Sequence, residues 1–92
     1  MQQEKLEAIR EQFRCGAYAV SDHAITEARK DGIAPRTVWL LECVAIHGKV
    51  IEEYPERDRI LVYAEEPDNL LPVHIVIDYS FFEEPAIVGM FH

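Results

Sequence analysis

The histidines are the side chains in this sequence best suited to proton transfer near neutral pH, since the unperturbed pKa of histidine is close to 6.5. They stand at His23, His47, His74 and His92. Tyrosine hydroxyls can donate protons and arginines can hold anions, so acid–base chemistry on an anionic ligand is within the reach of these residue types. No local catalytic motif joins them, and any site therefore depends on how the fold brings distant residues together.

A metal centre would also have to be assembled by the fold. His23, His74, His92 and Asp78 are the candidate ligands, but apart from His74 and Asp78 no two of them lie close together in the sequence. The cysteines, Cys15 and Cys43, do not form a Cys-x-x-Cys pair and are expected to be free thiols without a redox role. We therefore expect no metal and no cofactor.

Length and charge limit the function classes. The chain has 92 residues, which suits one domain, and its net charge is −8. Nucleic-acid binders usually present a basic surface, so RNA binding would need a local basic patch. The acidic residues either keep the domain soluble or dock a basic partner. No apolar run is long enough to span a bilayer and no signal peptide is visible, so we expect a cytoplasmic protein.

The first half of the sequence has helical periodicity. Leu6, Ile9 and Phe13 recur at spacings of three and four, and Gly16 follows where a left-handed C-terminal cap would lie. The third helix is apolar over more than half of its circumference, which predicts central burial. The predicted helices cover residues 2–14, the segment from Ser21 to Gly32, and the segment from Pro35 to Gly48.

The second half has strand-like composition. Runs rich in β-branched and aromatic residues alternate with turn residues at 55–58, 66–69 and 80–85. Short connections favour antiparallel neighbours, and helices followed by strands indicate the α+β class. We predict a single domain over 1–92, with two or three N-terminal helices packed on a curved four-stranded antiparallel sheet whose strands cover 49–54, 59–65, 71–79 and 86–91.

Alternation in the third predicted strand assigns its two faces. Every second residue is a large aliphatic one, and this set should pack under the helices. The other set mixes polar and titratable groups and should line the opposite, open side of the sheet. The two sets are Val73, Ile75 and Ile77, and His74, Val76 and Asp78.

Three segments in this order resemble the bacterial domain-of-unknown-function family 4258, which is grouped with the RelE and BrnT-type toxin folds. Ser21-Asp22-His23-Ala24 heads the second helix. The segment from Gly48 to Pro55 leads from helix into sheet, and the segment from Pro72 to Asp78 forms a central strand. The resemblance extends over nearly the whole chain, from about Leu6 onward.

The resemblance implies a RelE-like fold that cuts messenger RNA without a metal and pairs with a small antitoxin. Such cleavage needs a base for the 2′-hydroxyl, an acid for the leaving oxygen and a cation for the phosphate. His23 and His74 match the family's histidine positions and are the expected catalytic pair. We add Tyr54 as a catalytic candidate, and Arg59, Arg29 and Tyr63 as residues that bind the RNA.

The sequence also departs from the family pattern. Where members commonly carry two arginines on the second helix, this chain has Glu27 and Asp31. That loss of positive charge favours an alternative, in which the chain is a catalytically inactive member of the fold that acts as a protein-binding module or a homodimer. Trp39 and the Phe81-Phe82 pair are the residues expected to form such an interface.

Overall fold

The computed structural model describes residues 1–33, 37–65 and 71–92. Within these ranges the chain forms three α-helices, a two-residue strand between the first two of them, and four longer strands after the third. The elements are α1 (Gln3–Arg14), β1 (Ala19–Val20), α2 (Asp22–Lys30), α3 (Thr37–His47), β2 (Lys49–Tyr54), β3 (Arg59–Glu65), β4 (Pro72–Asp78) and β5 (Ala86–Phe91). No helix in the described ranges is long and apolar enough to cross a bilayer.

The helix boundaries follow local chemistry that the sequence predicts. Gly16 and Gly32 both adopt positive φ angles, 78° and 73°, just after α1 and α2. The Ser21 hydroxyl accepts a hydrogen bond of 3.0 Å from the amide of Ala24 and so caps the start of α2. The predicted bounds of α1 and α2 are confirmed to within two residues.

The sheet is mixed rather than purely antiparallel, with strand order β1-β5-β4-β3-β2. Strands β2 to β5 form the predicted antiparallel meander, which confirms the α+β class. The prediction of four strands was wrong, because β1 pairs in parallel with β5. A strand of two residues carries no periodicity that could reveal it. Its evidence is backbone pairing, in which Ala19 and Ser21 donate to the carbonyls of Pro85 and Ile87.

The core lies between the helices and one face of the sheet. α3 packs on β3 and β4, α1 packs on α3, and α2 packs along β5. The predicted inward set of β4 is confirmed, since Val73, Ile75 and Ile77 are at most 1% exposed. Phe13 and Leu41 are the largest side chains that the helices bury against this face.

α3 is less buried than its composition predicts. Leu40, Leu41, Val44 and Ala45 are buried, but Val38 and Trp39 are 66% and 54% exposed. An apolar helix at the surface of a two-layer domain has neighbours on one side only, so its excess apolar residues face outward. The predicted helix start at Pro35 and the predicted turn at 66–69 lie outside the described residues.

Gly48 joins α3 to β2 at a point where the chain passes close to its neighbours. A Cβ atom at this position would lie 2.6 Å from Cγ1 of Val62 and 2.9 Å from the carbonyl oxygen of Tyr63. On the other side, the Arg10 guanidinium donates a hydrogen bond to the Gly48 carbonyl. Only a residue without a side chain allows this approach of α3 to β3.

We expect Gly48→Ala to lower the free energy of unfolding by about 1–3 kcal/mol, because the added methyl group overpacks the junction. Urea denaturation of the two proteins measures the difference. Gly16→Asn is the matched control, since position 16 has open space around it and asparagine tolerates its left-handed φ. Equal midpoints for Gly48→Ala and the wild type would contradict this account of the junction.

Candidate functional site

We call the sheet face opposite the helices the open face. It carries the outward set of β4 and the residues of the other strands that pair with this set. Its cross-strand rows run from β2 toward β1. The aromatic row consists of Lys49, Tyr63, His74 and Phe91. The middle row consists of Glu52, Leu61, Val76 and Gly89. The polar row consists of Tyr54, Arg59, Asp78, Ala86 and Ala19.

The aromatic row contains three rings in contact. The imidazole of His74 lies parallel to the ring of Phe91, with centroids 5.1 Å apart and an interplanar angle of 6°. On its other side the Tyr63 ring is tilted by 48° at 5.3 Å. All three side chains are half-buried. They form a continuous, partly accessible ring surface across three strands.

One ring nitrogen of His74 has no partner within the sheet. Its Nδ1 atom is buried and makes no hydrogen bond to the described residues. Either tautomer leaves this atom unsatisfied, as an N–H donor or as a lone pair, so both tautomers share the cost. The imidazole of His74 therefore contributes to the open face mainly through its ring, which contacts Tyr63 and Phe91.

Arg59 is engaged within the polar row. Its Nε atom lies 2.9 Å from Oδ2 of Asp78, and Oδ1 of Asp78 accepts hydrogen bonds from the amide and hydroxyl of Ser80. Burial raises the pKa of the Asp78 carboxyl, but the hydrogen bonds from Ser80 and Arg59 outweigh it and hold that pKa below its ordinary value. The guanidinium predicted to hold phosphate thus already neutralises a carboxylate.

The two histidines of the predicted catalytic pair are both linked to the end of β5. His23 lies in the first turn of α2, its side chain is 73% exposed, and its Nε2 atom is 3.7 Å from Oε1 of Glu27. The same Glu27 oxygen accepts the amide of Met90, and the next residue, Phe91, is paired with His74. Among the described residues no contact between the two imidazoles is found.

The other predicted site residues lie partly on the open face and partly at its margins. Tyr54 lies on β2, the edge strand farthest from α2, and its hydroxyl donates to Glu52, which raises the pKa of Tyr54. Partial burial and the nearby Glu65 also raise the pKa of Tyr63, which is the predicted RNA-binding residue that does contact His74. Arg29 is exposed near the end of α2. Tyr63, His74 and Arg59 share the open face, whereas His23, Arg29 and Tyr54 lie at its margins.

Three of the four residues considered as metal ligands are held by different partners. His92 Nδ1 lies 2.8 Å from the Pro72 carbonyl oxygen, while Asp78 pairs with Arg59 and His23 with Glu27. Across residues 1–33, 37–65 and 71–92 no group of three metal-binding side chains is found.

The sequence did not lead us to expect that Glu27 and Asp31 would bind the edge of β5. Beyond its short pairing with β1, β5 would present an open edge, and α2 lies along it. Oε1 of Glu27 accepts the Met90 amide at 2.9 Å, and Oδ2 of Asp31 accepts the His92 amide at 2.8 Å. Carboxylates four residues apart lie on one helix face, so the spacing was a visible signal. Two acceptors on α2 thus satisfy the donors of an exposed strand edge.

No family model, curated protein or solved structure matches this chain. The resemblance to domain-of-unknown-function family 4258 therefore stays a prediction that depends on the three segments quoted for it. The open face itself offers ring surfaces, one of them an imidazole, and an internally paired arginine.

We expect Glu27→Ala to expose the Met90 amide, because this bond joins α2 to the β5 edge. Hydrogen exchange at Met90 should accelerate, and the free energy of unfolding should fall by about 1–3 kcal/mol, as for other bonds to charged acceptors. Glu27→Gln keeps an acceptor and should restore most of the protection. Thr26→Ala, an exposed change on the same helix, is the control, and unchanged exchange at Met90 in Glu27→Ala would refute the bond.

The pKa of Asp78 is lower in the folded than in the unfolded chain, so its ionised form stabilises the fold above the unfolded value of roughly 3.9. This contribution disappears as the pH falls through the folded value. We therefore expect Asp78→Asn to be less stable than the wild type near neutral pH and to approach it in acid. Urea unfolding between about pH 3 and pH 7 tests this, with Glu4→Gln as control. A stability difference independent of pH would count against the ionic role of Asp78.

Proposed function

We propose that this protein is a protein-binding module whose open face holds a basic partner polypeptide. The observation that carries the proposal is the row of three contacting rings, Tyr63, His74 and Phe91, on a sheet face that the helices leave uncovered. Aromatic side chains dominate the energetics of protein interfaces because they bury large areas at a low cost in conformational entropy.

The arrangement of the titratable groups supports binding more than cleavage. Metal-free RNA cleavage needs an acid and a base on opposite sides of one phosphate, and a cation for its charge. The arginine of the open face, Arg59, is already paired with Asp78. The rings of Tyr63 and Phe91 on either side of His74 suit the packing of a partner side chain instead.

Charge supports a basic partner. Glu52 lies on the open face and Glu65 at its end, and each accepts a hydrogen bond from a neighbouring tyrosine. The positive charges on the same face are Lys49 and Arg59, and Arg59 is already paired with Asp78. Complementary charge would accelerate association with a cationic segment and slow association with nucleic acid.

The resemblance to the RelE and BrnT-type folds supports a more specific form of this proposal. It assigns the chain to a RelE-like family and makes the partner a small antitoxin protein. Cys15 and Cys43 are free thiols, which agrees with a reducing, cytoplasmic compartment.

A direct test uses two synthetic peptides of about 12 residues, one alternating lysine with leucine and one alternating glutamate with leucine. We expect only the lysine peptide to bind, with amide chemical-shift changes centred on Tyr63, His74 and Phe91. Phe91→Ala and Tyr63→Ala should each weaken binding about tenfold, the usual effect of losing an aromatic anchor.

Trp39→Ala is the matched control, since Trp39 is an exposed aromatic residue on α3, on the other side of the sheet. Thermal denaturation of each variant separates lost binding from lost folding. Equal binding of both peptides, or shifts centred on α3, would overturn the proposal. A dimer in sedimentation that dissociates in Phe91→Ala would instead identify a second copy of the chain as the occupant.

RNA cleavage without a metal is the second candidate function, and the contact between Tyr63 and His74 on the open face favours it. Incubation of a single-stranded RNA with the protein and a chelator tests it. Cleavage that is lost in both His23→Ala and His74→Ala, with folding intact, would replace the binding module by an antitoxin-controlled ribonuclease. Intact RNA would leave the binding function as the better account.

A further inference from the structure

A separate pocket of about 440 Å³ lies at the corner of the open face where the polar row ends. Ala19 and Ala86, the last two members of that row, form its floor. The connection from β4 to β5 adds Phe81, Glu83 and Glu84 to its lining. The pocket is therefore continuous with the open face but is built largely from another segment.

The side chain of Phe81 is unusually exposed for so large an apolar residue. It is 76% exposed, whereas the neighbouring Phe82 is half-buried and packs against the core. The connection is held in place, since the Glu84 amide bonds to the Phe81 carbonyl, and the Pro85 carbonyl accepts the Ala19 amide. A hydrogen-bonded turn thus holds the ring of Phe81 in its exposed position.

The carboxylates of Glu83 and Glu84 are exposed and, among the residues that the structure describes, engage in no ion pair or hydrogen bond. An aromatic ring beside two unpaired carboxylates, over an apolar floor, matches the needs of a cationic side chain. The ring attracts the cation through its quadrupole, the floor receives the aliphatic stem, and the carboxylates pair with the charge.

The pocket and the aromatic row stand at a fixed separation along the strands. His74 of the aromatic row and Asp78 of the polar row are four positions apart on β4, which corresponds to roughly 13 Å at about 3.3 Å per residue. An extended peptide has the same rise, so two of its side chains four positions apart would reach both places at once.

Resting on the binding function proposed above, we infer that the partner is recognised through an extended segment with two anchor residues. One is an aromatic or apolar residue that packs on the aromatic row. The other, four positions away, is an arginine or lysine that enters the pocket beside Phe81. The rings of Tyr63, His74 and Phe91 supply one anchor, and the pocket supplies the other. This spacing makes the site selective among basic peptides.

The experiment uses synthetic peptides of glycine, serine and threonine that carry one phenylalanine and one arginine four positions apart, in both orders. Isothermal titration and amide chemical shifts report affinity and location. We expect one order to bind, and replacement of its arginine by the neutral isostere citrulline to weaken it about tenfold. Moving the arginine to the position next to the phenylalanine should have the same effect.

Substitutions in the protein itself also test the pocket. Phe81→Ala and the double variant Glu83→Gln, Glu84→Gln should each bind the arginine peptide several-fold more weakly, yet bind the citrulline peptide as the wild type does. Glu4→Gln, an exposed acidic change on α1, is the control and should bind both peptides normally.

The outcomes distinguish the two proposals. Binding on the aromatic row that ignores citrulline replacement, arginine spacing and the pocket variants would overturn the two-anchor inference and leave the binding module standing. Failure of these peptides and of the lysine–leucine peptide to bind would overturn both. Loss of affinity in Phe81→Ala for the citrulline peptide as well would assign that ring an apolar contact and would refute a cation site.

Discussion

The alternation along β4 is the constraint on which the remaining architecture depends. Val73, Ile75 and Ile77 are at most 1% exposed beneath the helices, so His74, Val76 and Asp78 must point the other way. A shift of β4 by one residue relative to its neighbours would bury the second set and expose the first, at a cost far above the stability of a small domain. The register that forms the core therefore also forms the open face, and the ring contacts of His74 follow from it.

The edge of the sheet at β5 imposes a second constraint, which explains the acidic side of α2. A strand edge with unpaired amides invites association with other chains. β1 covers only the first residues of β5, and the carboxylates of Glu27 and Asp31 accept the amides of Met90 and His92 beyond it. The acidic residues at these two positions thus have a structural role, because they close the edge of the sheet.

Sequence patterns predicted those parts of the fold that depend on neighbouring residues. Helix caps at Ser21, Gly16 and Gly32 and the alternation of β4 are local, and each was predicted correctly. β1 has too few residues to show a period, and the exposure of Trp39 depends on how many layers cover α3. The grouping of Tyr63, His74 and Phe91 required the cross-strand register, which no single segment contains. Predicting that His74 faces the open side was within reach, whereas placing His23 relative to it required the path of α2 along β5.

The charge of the whole chain is a weaker guide to its partner than the charges around each surface. At physiological ionic strength, interactions between exposed charges are screened beyond roughly 8 Å, and the molecule measures 31 by 25 by 24 Å. Most of the net charge of −8 is therefore screened from a ligand on the open face. Within that face Arg59 cancels Asp78, and the single charge of Lys49 opposes the two of Glu52 and Glu65, so the ring contacts of the aromatic row act beside a local excess of negative charge. The carboxylates of Glu83 and Glu84 lie beside Phe81, where one cationic side chain would meet both of them. The aromatic row can then supply affinity, while the corner pocket decides which peptide is accepted.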